Sequence, residues 1–167
     1  EKTIDESFRL TGIAEHYAEL PENERVQILA REIESPRPII PRDLDQFSPE
    51  AAEVIETFRA IREVMDGNHQ GAIGTYVISF GESASDVLEV LLLMKEAGLA
   101  GPGGKGTRLP IAPLFEQYES LTASAGVMRA LLSQPVYRNA LAAQGNAQEI
   151  MVGYSDSNNE LGYLASS

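Results

Sequence analysis

The chain has 167 residues, enough for one sizeable core, with 43% apolar residues and a formal charge of −12. That apolar share, just under the usual ~45–50%, excludes a disordered chain, and the charge disfavours nucleic acid and anionic membrane surfaces as partners. Cysteine is absent, which excludes a disulfide framework, thiolate catalysis and Cys-based zinc sites, and fits a reducing cytoplasm.

The opening residues, Glu1 to Glu6, carry no apolar signal region. Residues 7–33 read as two short helices. The first carries Phe8, Leu10, Ile13, Ala14 and Tyr17, and Pro21 separates it from a second with Val26, Leu29, Ala30 and Ile33 at helical spacing. Prolines at 36, 38 and 41 make an extended break. Ser48-Pro49-Glu50 supplies an N-cap, a proline at the first helical position and an acid in the first turn. The helix that follows presents Ala51, Val54, Ile55, Phe58, Ile61 and Met65, and Gly67-Asn68 stops it.

Past this point the chain changes character. Residues 75–80 form a β-rich run, 85–97 a helix closed by Gly98, and 109–115 a second strand. A helix over 118–132, a short one restarted by Pro135, and a strand over 149–154 complete the order β-α-β-α-β. Strands recurring at this spacing are what successive β/α units with a parallel sheet require. The division is therefore residues 1–47, lead-in helices and a Pro-rich linker, and residues 48–167, a helix plus three β/α units. Three such units are too few to close a barrel. The helix over 85–97 is apolar nearly all round, so it needs cover on more than one side. This chain alone offers too little material to cover it, and it reads as a piece of something larger. Its longest apolar stretch, Val87 to Met94, contains Glu89 and is far too short to cross a bilayer.

Two acids end strand-like runs: Glu116 after 109–115, and Asp156 after 149–155. The C-terminal ends of parallel strands open onto one face. Two carboxylates there can converge on one hard cation, Mg²⁺ or Mn²⁺, able to stabilise anionic oxygen. Each acid also has a plainer reading: Glu116 as a partner of the next helix dipole, Asp156 among the N-cap residues of 155–159. Spacing alone leaves both readings open.

Other motifs carry less. Residues 98–107 hold five glycines and Lys105, but a phosphate loop follows a strand and opens a helix; this one does the reverse and reads as a flexible surface connection. Ser83-Ala84-Ser85-Asp86 reads as a helix cap. His16 and His69 have no metal-ligand spacing.

Three strings in order resemble phosphoenolpyruvate carboxylase: residues 76–90, from Tyr76-Val77-Ile78-Ser79 to Val90; Ile111-Ala112-Pro113-Leu114-Phe115-Glu116; and Met151-Val152-Gly153-Tyr154-Ser155-Asp156-Ser157-Asn158. Residues 8–17 and Glu24-Arg25-Val26 resemble that family's lead-in helices. The resemblance implies an α/β segment of a (β/α)₈ TIM barrel from a large cytoplasmic homo-oligomer that binds no nucleic acid. The implied reaction joins phosphoenolpyruvate and bicarbonate to give oxaloacetate and phosphate, with Mg²⁺ or Mn²⁺ as cofactor. It implies Glu116 and Asp156 as the metal ligands. The family's lysine three positions after the second ligand is replaced by Asn159, and its catalytic histidine and arginine-rich loop have no match. This polypeptide alone is therefore expected to be inactive. The alternative expectation is a non-catalytic, barrel-derived remnant acting as a binding or scaffold module.

Overall fold

The computed structural model describes residues 1–67, 71–79 and 82–153. Within them lie six α-helices and three strands: α1 (Lys2–Thr11), α2 (Glu22–Glu34), α3 (Pro49–Asp66), β1 (Tyr76–Ile78), α4 (Ala84–Ala97), β2 (Ile111–Phe115), α5 (Tyr118–Ser133), α6 (Pro135–Ala142) and β3 (Met151–Val152). The strands form one parallel sheet in the order β1-β2-β3. The fold is α/β, with helices α4 to α6 in the two crossovers, as the strand spacing predicts.

Local chemistry accounts for most boundaries. Gly12 adopts φ 68° and closes α1 through its N–H, so Ile13, Ala14 and Tyr17 lie beyond the helix that their spacing suggested. Tyr17 instead enters a 3-10 turn (Tyr17–Glu19) and meets Phe8 edge-on at 5.0 Å. Ser48 caps α3, its Oγ accepting the Ala51 N–H at 3.3 Å, with Pro49 following. Ser83 caps α4 in a reciprocal box with Asp86, two orphan donors satisfied at once.

The core is built around α4. Val87, Leu88, Leu91, Leu92 and Met94 are fully buried, so the helix is covered on several sides, as its composition demands. The expectation that this chain holds too little material to cover the helix is corrected: the cover comes from within the chain, much of it from the lead-in helices. α2 packs along α4, and α3, α5 and β2 also meet it. Phe8, Tyr17, Leu29 and Ile33 from the first helices join the same buried cluster.

The glycine-rich stretch after α4, expected as a loose surface connection, is packed. Gly103 and Gly104 are buried in a 3-10 turn (Pro102–Gly104) that rests on α6. Asn139 Nδ2 donates to Gly103 O at 2.9 Å, and the buried Thr107 hydroxyl donates to Gly104 O at 2.8 Å.

Candidate metal centre

Glu116 is the first residue past β2, at the C-terminal edge of the sheet. Its approach is fixed from below. Ile111, Ala112, Pro113 and Phe115 are buried, and Glu116 itself is half-buried. The β2–β3 register pairs Phe115 with Val152, and the Gly153 N–H donates to Phe115 O at 3.0 Å. Glu116 and Gly153 are therefore side by side where their strands leave the sheet. The strands pinch there: a Cβ on Gly153 would lie 2.3 Å from Glu116 Cβ, 3.0 Å from its Cα and 3.6 Å from Oε2.

Asp156, the second expected ligand, lies outside the described residues, as do Asn159 and His69. Among the described residues no cluster of three or more His, Cys, Asp or Glu could hold a metal. Two other acids of the β/α region have partners of their own. Glu149 precedes β3 and accepts the Thr75 hydroxyl at 2.7 Å, at the N-terminal edge of the sheet. Asp86 Oδ2 accepts the Glu82 and Ser83 N–H groups at 3.0 and 2.9 Å. This bears out the cap assigned to 83–86. His16 is exposed, 3.9 Å from Glu19.

The underside of the site is braced by polar contacts. Tyr137 donates to Gln148 Oε1 at 2.6 Å, and Gln148 Nε2 donates to Ile111 O at 2.9 Å, tying α6 and the lead into β3 to the start of β2. Burial pushes the Tyr137 hydroxyl up to about 12, against the hydrogen bond to Gln148, so it stays a neutral donor near neutral pH.

Sequence reasoning missed two residues that shape this region. Gly153 was visible only as one position of a motif; its contact with Glu116 depends on register, which no local pattern encodes. Glu22 carried no signal in the sequence, yet both its carboxylate oxygens meet Ser85 on α4.

The family model for phosphoenolpyruvate carboxylase matches residues 1–167. The chain belongs to the phosphoenolpyruvate carboxylase family. Phosphoenolpyruvate carboxylase of Roseiflexus castenholzii is 45% identical over 162 residues, which cover 97% of this chain and 17% of that protein. The Gloeobacter violaceus enzyme of that name is 46% identical over 169 residues, 100% of this chain and 18% of the relative. That of Rhodothermus marinus is 41% identical over 172 residues, 98% of this chain and 18% of its own. The chain thus spans under a fifth of these phosphoenolpyruvate carboxylases, and no helix among its described residues is long and apolar enough to cross a membrane.

Proposed function

We propose that this chain is the metal-bearing segment of a phosphoenolpyruvate carboxylase barrel, with Glu116 and Asp156 as the ligands of Mg²⁺ or Mn²⁺. One observation carries the reading: Glu116 sits at the C-terminal edge of a parallel sheet with the exit of β3, at Gly153, packed against it. Carboxylate oxygens are the ligands a hard divalent cation prefers, so the donor set fits. On this reading the three parallel strands belong to a (β/α)₈ barrel. Residues 48–167 are its β/α part, and residues 1–47 brace α4.

The whole protein would carboxylate phosphoenolpyruvate with bicarbonate, giving oxaloacetate and phosphate, as a cytoplasmic homo-oligomer. A bound divalent cation supplies charge neutralisation for the anionic oxygen that develops as the phosphoryl group departs. This chain's own part is placement. β2 holds Glu116 on rigid backbone, and its buried residues keep water from beneath the carboxylate. The absence of the family lysine, with Asn159 in its place, favours a second reading as a catalytically silent relative of the same barrel.

Mn²⁺ titration followed by electron paramagnetic resonance tests the metal assignment. Wild-type chain is expected to bind one ion, and Glu116→Gln and Asp156→Asn each to weaken it by tenfold or more, ~1.4 kcal/mol. Binding that is absent from wild type, or unchanged in both variants, would refute it. A coupled oxaloacetate assay on the same samples is expected to show no turnover, because the chain lacks the family's histidine and arginine loop.

A further inference from the structure

We propose that Gly153 is a positioning residue for Glu116: its missing side chain is the space that lets the Glu116 carboxylate face the cation. The inference rests on the metal reading above. Register sets the geometry. In a parallel pair, neighbouring residues at the same level project to the same side, with backbones ~4.8 Å apart. Two ordinary side chains fit at that spacing. Here the strands converge as they leave the sheet, so that a Cβ on residue 153 would stand 2.3 Å from Glu116 Cβ. No pair of real side chains sits so close, and the obstruction lies at the rigid base of Glu116 rather than at its flexible end.

The usual reason for glycine does not apply. Gly153 is absent from the positive-φ glycines of the described residues, so a left-handed φ is not what calls for glycine there. What it provides is clearance, and Glu116 is what stands closest. Chain neighbours aside, the three nearest atoms to that Cβ position are Glu116 Cβ, Cα and Oε2. A methyl group at 153 would have to push Glu116 about its Cα or drive β3 away from β2. Either movement displaces the carboxylate by a large part of the ~0.5 Å tolerance of a preorganised ligand. Groups that orient a ligand without touching the metal typically change affinity by about 10–100-fold when altered.

The test uses the whole 167-residue chain in five forms: wild type, Gly153→Ala, Glu116→Gln, and Glu116→Gly with and without Gly153→Ala. Mn²⁺ affinity comes from electron paramagnetic resonance. The metal-free position of Glu116 comes from the ¹³C shift of its carboxyl carbon. Gly153→Ala is expected to move that carbon's resonance without metal and to weaken Mn²⁺ by about 10–100-fold. If Glu116→Gln loses the ion while Gly153→Ala binds it like wild type with an unmoved resonance, the positioning role is wrong and the metal reading survives. If Glu116→Gln binds the ion normally, the metal reading falls and takes the positioning role with it. Should Gly153→Ala fold poorly, the double variant decides. Adding Gly153→Ala to Glu116→Gly should cost less of the unfolding midpoint than adding it to wild type, because the Cβ struck at 2.3 Å is gone and only the Cα at 3.0 Å remains. An equal cost in both backgrounds would overturn the inference.

Discussion

Glu22 on α2 closes the first turn of α4 through Ser85: Oε1 accepts the Ser85 N–H at 3.0 Å and Oε2 its hydroxyl at 2.7 Å. Ser83 satisfies the next orphan donor, the Asp86 N–H, at 3.3 Å. The cap of α4 is therefore shared between a local serine and an acid 63 residues away. An acid at a helix N-terminus also suits the helix dipole.

Removing that acid leaves the N–H of a fully buried serine without its acceptor, while the Ser85 hydroxyl keeps Ser83 Oγ at 2.9 Å, and Arg25 Nη2 loses its 3.1 Å bond to the same carboxylate. Glu22→Ala is therefore expected to destabilise the chain by about 1–3 kcal/mol. Urea unfolding should show a lower midpoint with an unchanged slope. Glu22→Gln keeps one acceptor oxygen and should fall between the two. A Glu22→Ala midpoint equal to wild type would show that water replaces the carboxylate and that the cap is not shared.

Gly104 is constrained twice. Its φ is +74°, and a Cβ would lie 2.1 Å from the backbone carbonyl of Val136 at the start of α6. Gly106 has φ +61° with nothing within 4 Å of its Cβ position. Gly106→Ala should cost only the left-handed penalty, about 1–2 kcal/mol. Gly104→Ala must also move α6 and should exceed that by at least ~1 kcal/mol. Paired thermal melts of the two variants separate the effects. Equal losses would mean that α6 yields freely and that the turn does not anchor it.

The sequence announced its elements where local chemistry decides them. Ser48-Pro49, Ser83 to Asp86 and Gly98 marked helix ends that the structure reproduces. The parallel β-α-β-α-β order followed from spacing. Illegible were the contacts between distant segments. Nothing local to Leu29 or Ile33 says that they cover α4, and nothing local to Gly104 says that Val136 lies against it. Periodicity overran Gly12, because Ile13, Ala14 and Tyr17 keep helical spacing while serving a turn. Glu116 was legible by position, since it follows an apolar strand. Its pinch against Gly153 was not, because pairing register is a property of two strands.

Glu89 carries a pH dependence that can be worked out in sign. It is a buried acid on α4, and its Oε1 accepts the buried Tyr17 hydroxyl at 2.8 Å. Burial, the largest influence, holds its carboxyl above the ordinary carboxylate range; the hydrogen bond from Tyr17 partly offsets this, and Asp86 adds to it. The folded chain thus keeps this proton to higher pH than the unfolded chain does. Between the ordinary and the raised value the folded state binds more protons, so stability falls as pH rises through that window. Below both values the contribution is fully present. Glu89→Gln removes the titration yet keeps an acceptor for Tyr17. Unfolding free energies of both proteins from about pH 4 to pH 8 should therefore diverge, the wild type losing up to ~1.4 kcal/mol per pH unit relative to the variant inside the window. Parallel curves would mean that Glu89 titrates as it does unfolded. A wild type that gains stability relative to the variant as pH rises would mean that its partners outweigh burial.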